Sequence, residues 1–285
     1  MSPPDFEALF RAAGVRGWLY AADLDSDREV GHRPDEPVPT ASMFKVPLLV
    51  ALCRQADAGL LDLSERVTVT AEDRVSGPTG LSGMLDDVTI SLRDLAYLMI
   101  AVSDNTSADV VLGRVGFEVI NAMLAGFGLD GTRVTQSCRE LLGSMAVDAG
   151  HPWPFVDPDD IARLSALDPA RANRSTPREL AALFGMIWRD EAASEESCAW
   201  MRGVLNMQVW PHRLASGFPY DDVAVSGKTG TLPTLRSESG VVEYPDGRRY
   251  AVAVCTRSFS TALNQPRADA VIGTAARMAV DHLRR

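Results

Sequence analysis

Residues 42–59 read SMFKVPLLVALCRQADAG. Apolar side chains recur there at helical spacing and the run stops near Gly59, so a helix starting at Ser42 is expected. Pro47 falls close enough to its start that it need not break the helix, although it removes one backbone hydrogen bond. On the N-terminal side, residues 16–24 (RGWLYAADL) and 28–32 (REVGH) predict a strand pair around a Ser-Asp turn. On the C-terminal side, residues 91–102, 107–115 and 117–126 predict short helices, and 178–190 and 195–206 two more. Residues 222–231, 236–244 and 249–257 predict three antiparallel strands, with Pro245-Asp246-Gly247 as a hairpin turn. A final helix covers about 262–283.

Strands thus lie at both ends of the chain and helices fill the middle. The expected fold is α/β (α+β): an antiparallel sheet built from both termini and flanked by helices, plus an inserted all-helical domain. The sheet domain would take residues 1–60 and 207–285, and the helical domain 61–206, with an extended loop at about 136–176. Two units suit 285 residues at roughly 150 per domain. Within the loop, residues 143–176 hold His151-Pro152-Trp153-Pro154 and Asp157-Pro158-Asp159-Asp160. This is a Pro-rich, acidic connector, and Trp153, Phe155, Ile161 and Leu164 give it something to pack, so we read it as a lid.

Composition excludes several classes. Hydrophobic and charged shares of 46% and 23% are those of a globular protein, not a disordered one. A net charge of -10 argues against nucleic-acid and anionic-membrane partners, which want a basic face. Cys53, Cys138, Cys198 and Cys255 form no CxxC pair and read as reduced thiols. His32, His151, His212 and His282 show no metal-ligand spacing, and nothing implies a cofactor. The start, MSPPDFEALFRAAG, lacks a basic region followed by an apolar one. The expectation is a cytoplasmic protein, or an extracytoplasmic one if a leader has been removed.

Of the 28 basic residues only Lys45 and Lys228 are lysines; the rest are arginines. Arg cannot shed its proton in a protein, whereas Lys can when its surroundings lower its pKa. The two retained amines therefore point to chemistry. Lys45 follows Ser42 by three residues, which puts both on one helix face, roughly 5–6 Å apart at Cβ. A serine hydroxyl is a weak nucleophile until a base takes its proton, and a depressed lysine can be that base. The helix start adds backbone N–H groups, so the Ser42 N–H is a natural oxyanion donor. Lys228 stands in Ser226-Gly227-Lys228-Thr229-Gly230-Thr231 at a strand end. There Gly230 permits close backbone approach, and Lys228, Thr229 and Thr231 suit an anion such as a substrate carboxylate. The Thr231 N–H is the second candidate oxyanion donor. Ser103-Asp104-Asn105 marks a break between two helices and could equally be a plain N-cap.

Taken together, S-x-x-K, S-D-N and K-T-G in this order resemble the signature of class A β-lactamases and penicillin-binding proteins. The 61-residue step from Ser42 to Ser103 also suits that family. The resemblance spans nearly the whole chain and implies a β-lactamase/transpeptidase-like fold and a serine hydrolase working through a Ser42 acyl-enzyme. It further implies that Lys45 accepts a proton during acylation and that Ser103 passes one to the leaving nitrogen. Asn105 would hold the substrate's amide side chain. Lys228 would orient Ser103 and attract a substrate carboxylate bound by Thr229 and Thr231. The implied partner is a small carboxylate-bearing molecule, with β-lactam hydrolysis the default activity; oligomeric state is left open.

Two features depart from the family pattern. Its deacylating glutamate lies in an E-x-E-L-N element after a D-x-x-T-R-like stretch. Asp130-Gly131-Thr132-Arg133 matches the lead-in, but Cys138 falls in the glutamate's place and Leu142 in that of the Asn. A two-residue slip would bring in Glu140; Asp157, Asp159 or Asp160 are further options. The family's carboxylate-binding arginine is also displaced: Ser239 takes its position, leaving Arg236 and Arg213 as candidates. A cytosolic esterase, peptidase or acyltransferase, and a penicillin-binding protein with slow deacylation, are therefore the alternative expectations.

Overall fold

The computed structural model describes residues 4–152, 155 and 157–285. Helix α1 (Phe6–Ala13) precedes strands β1 (Val15–Asp23), β2 (Glu29–His32) and the two-residue β3 (Val38–Pro39). A 3-10 turn, Ala41–Phe44, then enters α2 (Lys45–Asp57), and a small hairpin, β4 (Arg66–Val69) and β5 (Val88–Ser91), follows. Next come α3 (Leu92–Ala101), α4 (Asn105–Val115), α5 (Phe117–Gly126), α6 (Cys138–Ala149), α7 (Pro158–Arg163), β6 (Arg174–Ser175), α8 (Pro177–Trp188) and α9 (Glu195–Asn206). Strands β7 (Ala224–Leu232), β8 (Leu235–Glu243) and β9 (Arg249–Ser258) and helix α10 (Pro266–Arg284) complete the chain.

One five-stranded antiparallel sheet runs in the order β2-β1-β9-β8-β7, so strands from both termini meet in it, as expected. Successive strand residues face opposite sides, and the two sides bury different cores. Leu19, Ala21, Val252 and Val254 pack with Phe6 and Phe10 of α1 and with Ala275, Ala276 and Ala279 of α10. Trp18, Tyr20, Ala251 and Ala253 face a larger core built by α2, α3, α4, α5, α8 and α9. Every residue of α2 from Lys45 to Cys53 is buried, which is why its sequence is apolar all round rather than striped. Helix α8 packs on β1, β8 and β9, although its residues belong to the stretch read as helical domain.

Three local differences from the sequence expectation have physical causes. The helix predicted from Ser42 begins as a 3-10 turn, and α2 proper starts at Lys45. Pro47 has no N–H for the first α-type bonds, and a tighter turn accommodates that loss. The stretch read as a connecting loop contains α6 and α7. Ser137 and Glu140 form a capping box that starts α6, and Asp157 caps α7 with Pro158 in its first turn. Phe155, Ile161 and Leu164 pack with Leu141 and Met145 against Ala41, Leu232 and Leu235, so this excursion leans on the S-x-x-K turn and the β7–β8 turn. Trp153 and Pro154 lie outside the described residues. The sequence expectation omits the β4–β5 hairpin, whose strands are four residues each, and α1, although Phe6, Leu9, Phe10 and Ala13 recur at helical spacing. Among the described residues no helix is long and apolar enough to cross a membrane.

Gly273 fixes how α10 meets the segment before β7. A Cβ there would stand 2.5 Å from the Arg213 carbonyl oxygen and 2.6 Å from the Gly217 nitrogen. Gly→Ala inside a helix ordinarily stabilises by up to ~1 kcal/mol. Here the backbone clash prevails, and Gly273→Ala is expected to destabilise by about 1–3 kcal/mol, read as a lower midpoint in thermal unfolding.

Candidate active site

The site assembles where the Ala41–Phe44 turn, the α3–α4 break and edge strand β7 converge. Ala41 adopts φ 46, a costly backbone for a non-glycine residue. It presents Ser42 to a cleft of about 760 Å³ that Ser42, Ser103, Asn105, Thr229 and Thr231 all line. Gly230 lets β7 reach this turn, since a Cβ there would lie 2.6 Å from the Thr40 carbonyl oxygen. The outward direction of the β7 edge is shown by Thr229, whose N–H donates to Gln208 Oε1 at 2.8 Å. Alternation along a strand aims the Thr231 N–H, two residues on, the same way.

The Ser103-Asp104-Asn105 break is a helix N-cap, and it also brings Ser103 and Asn105 to the lysines. Asp104 is the N-cap of α4, accepting from Thr106 and Ser107 N–H. It also accepts from Leu81 and Ser82 N–H and from both serine hydroxyls, so it is buried and saturated. Ser103 takes φ 61, which turns its carbonyl and hydroxyl toward the lysines. Lys45 Nζ donates to Ser103 O at 2.7 Å and to Asn105 Oδ1 at 2.9 Å, and lies 3.3 Å from Ser103 Oγ. Lys228 Nζ donates to the same Oγ at 2.9 Å and to Thr229 O at 3.0 Å.

Both lysines are fully buried. Burial holds the Lys45 amine below its ordinary range, although the charges of Asp104 and Asp109 oppose the shift. Lys228 is lowered further, by burial first and then by Lys45. With Ser103 Oγ between them, the nitrogens are no more than about 6 Å apart. Two unit charges there repel by ~3 kcal/mol at an effective dielectric of about 20. The arrangement therefore favours a state in which one amine is neutral and basic.

The remaining predicted residues separate clearly. Arg213 donates to Asp269, to the Gly230 and Ser237 carbonyls and, through Nη2 at 2.8 Å, to Thr231 Oγ1, so it lies against the K-T-G strand at the cleft wall. Arg236 lines the cleft, but its donors go to the Leu232, Leu235 and Leu263 carbonyls. It clamps the β7–β8 turn to the 259–265 loop and has little left for a substrate. Glu140 does not reach the cleft: it is exposed, and its carboxylate accepts the Ser137 N–H in the capping box. Asp157 is spent capping α7, Asp159 is exposed, and Asp160 pairs with His151 and Arg163. Cys138 is buried beside Lys45 and Lys228 and pushed up to about 12 by burial, so its thiol stays protonated at neutral pH.

Sequence reasoning missed much of the cleft wall: Ser76–Thr79, Trp210, His212 and Thr261–Asn264. No motif marks them, because loops far apart in sequence bring them together. Charge is unevenly placed as well. Among the described residues the charged groups lining the cleft are Arg213 and Arg236, with no Asp or Glu, although the chain carries a net charge of -10; Asp269 pairs with both from outside the lining, and burial lowers His212 toward the neutral form.

Comparison with known proteins gives the family. A family model described as the β-lactamase enzyme family matches residues 4–283. The chain is 33% identical to β-lactamase regulatory protein BlaB of Streptomyces cacaoi, over 95% of this chain and 94% of that protein. It is 27% identical to a β-lactamase of Streptomyces albus G, over 96% and 82%. A β-lactamase structure from Sphaerobacter thermophilus superposes with TM-score 0.80 at 26% identity, over 97% of this chain and 95% of that one. The family model, the relatives and the shared fold lead to one assignment: the chain belongs to the β-lactamase enzyme family, as a serine hydrolase of the class A type.

Proposed function

We propose that this protein opens carboxylate-bearing β-lactams by acylating Ser42, and that release of the acyl group is slower than its formation. The observation that carries the first half is the pair of buried lysines bonded to Ser103 Oγ, which lines the same cleft as Ser42. Neutral Lys45 takes the Ser42 proton as Oγ attacks the lactam carbonyl carbon. The oxyanion lies between the Ser42 and Thr231 N–H groups. As the C–N bond breaks, Ser103 delivers a proton to the leaving nitrogen and regains one from Lys45, which returns to the neutral amine, while Lys228 holds the Ser103 hydroxyl in place. The substrate carboxylate sits on Thr229 and Thr231 with Arg213 beside them, and Asn105 holds the amide side chain. A cleft lined by Arg213 and Arg236 and, among the described residues, by no Asp or Glu supports an anionic substrate.

The second half rests on the absence, among the described residues, of an acidic residue from that lining and on the buried, protonated thiol of Cys138. A thiol in that state is a poor base for activating water. Deacylation would then lack the proton acceptor that acylation has.

Three measurements test this. Intact mass followed over time with benzylpenicillin is expected to show a persistent adduct on the wild type and none on Ser42→Ala; no adduct and no drug conversion in the wild type would overturn the reading. Cys138→Glu is expected to shorten the adduct lifetime by about tenfold or more, within the range a positioned general base supplies. The pH profile of acylation follows from the lowered lysine pKa values. The reactive form is deprotonated, so the rate rises with pH, and because burial lowers the pKa that rise is reached below the ordinary lysine value of 10.5. In Lys45→Arg, whose guanidinium keeps its proton, the rising limb is expected to vanish with an acylation loss of about 10²–10⁴-fold.

A further inference from the structure

Glu238 is a carboxylate for which the proposed mechanism has no use, yet it is only 1% exposed. It lies on β8 directly opposite Thr229 of the K-T-G strand. Room for it is left by Gly227, where a Cβ would stand 3.2 Å from Glu238 Oε1. Oε1 accepts from Gln208 Nε2 at 2.6 Å, and Oε2 accepts from the Leu214 N–H at 2.7 Å. Gln208 in turn accepts the Thr229 N–H. Its neighbouring charges are Arg213 and Lys228.

These bonds form a chain with one possible polarity. Thr229 donates to Gln208, Gln208 donates to Glu238, and Leu214 donates to Glu238 from the other side. Burial pushes the Glu238 carboxyl up, and the two accepted hydrogen bonds together with the charges of Arg213 and Lys228 oppose that shift and favour the ionised form. Gln208 and Leu214 also bracket an irregular segment whose middle carries Trp210, His212 and Arg213 into the cleft. One buried group thus ties both ends of the cationic wall to the strand that the wall faces. A charge is costly to bury without such partners, so its place in the core calls for a reason beyond filling space.

We infer that Glu238 is the positioning residue of the carboxylate subsite: it sets Arg213 and the outer edge of β7 at the distance a substrate carboxylate requires. This inference deepens the acyl-transfer reading and rests on it. Glu238 touches neither substrate nor nucleophile, so its loss would alter recognition of the carboxylate more than the bond-making step. An amide at this position keeps the shape but must oppose two donors, at Leu214 or along the Gln208 link.

The test compares acylation by benzylpenicillin with acylation by its methyl ester in wild type, Glu238→Gln and Gln208→Leu, with thermal midpoints recorded for all three. Wild type is expected to prefer the acid. In Glu238→Gln that preference should narrow by about tenfold or more, the scale of a lost charge-assisted contact, through a raised KM for the acid and little change for the ester. Gln208→Leu, at a half-exposed site, should narrow it in the same direction while leaving Glu238 in place. An unchanged preference in both variants, or a proportional loss with acid and ester that marks a merely structural role, overturns the inference. Wild type acylated by neither compound overturns the acyl-transfer reading, and this inference with it.

Discussion

Two buried amines share one hydroxyl, and the rest of the site is arranged around that constraint. Lys45 and Lys228 both direct Nζ at Ser103 Oγ. Removing two ammonium groups from water with no carboxylate in direct contact is expensive, and their mutual repulsion adds to it. The chain meets the expense with acceptors: the Ser103 and Thr229 carbonyls and Asn105 Oδ1. Each acceptor requires an unusual backbone placement. Ser103 sits in the left-handed region, and Asp104 gathers its donors to hold the break in which Ser103 and Asn105 lie.

The same constraint explains the layering. Lys45 opens a helix buried on every side, so its amine has no route to solvent along the helix surface. Lys228 comes from the sheet edge, on a strand whose Gly230 abuts the nucleophile's own turn. Helical core and sheet therefore meet through the site itself. The excursion carrying α6 and α7 closes the third side by packing on Ala41 and the β7–β8 turn. It places Cys138 beside the amines, where the family pattern would place a carboxylate. A carboxylate there would neutralise an ammonium; a protonated thiol leaves the amines to settle the charge between themselves.

Arg213 and Arg236 show how contacts, rather than residue type, decide a role. Both are buried arginines near the K-T-G strand. Arg236 spends its donors on carbonyls within a turn and an adjacent loop, whereas Arg213 reaches Thr231 Oγ1 at the cleft wall. Spacing alone had left the two equivalent. Glu140 is a similar case: its distance from Cys138 invites a catalytic reading, but the rule that puts Ser and Glu three apart at a helix start had already given it a task.

What the sequence determined by itself is what short-range chemistry encodes. Alternation and turn residues marked the sheet strands, and helical period marked α2 to α5, α8, α9 and α10. An arginine-rich composition with two lysines singled out Lys45 and Lys228, because only an amine can give up its proton. Ser42, Ser103 and Asn105 followed from motifs whose spacing is local. The tertiary structure decided the rest: that Glu140, Asp157, Asp159 and Asp160 stay out of the cleft lining, which arginine bonds Thr231, and that Trp210, His212 and Thr261–Asn264 share a wall with Ser42. Those outcomes depend on where loops distant in the chain come to rest. Hydrogen-bond saturation then decides which polar groups remain available, and that is a property of the packed molecule rather than of any stretch of residues.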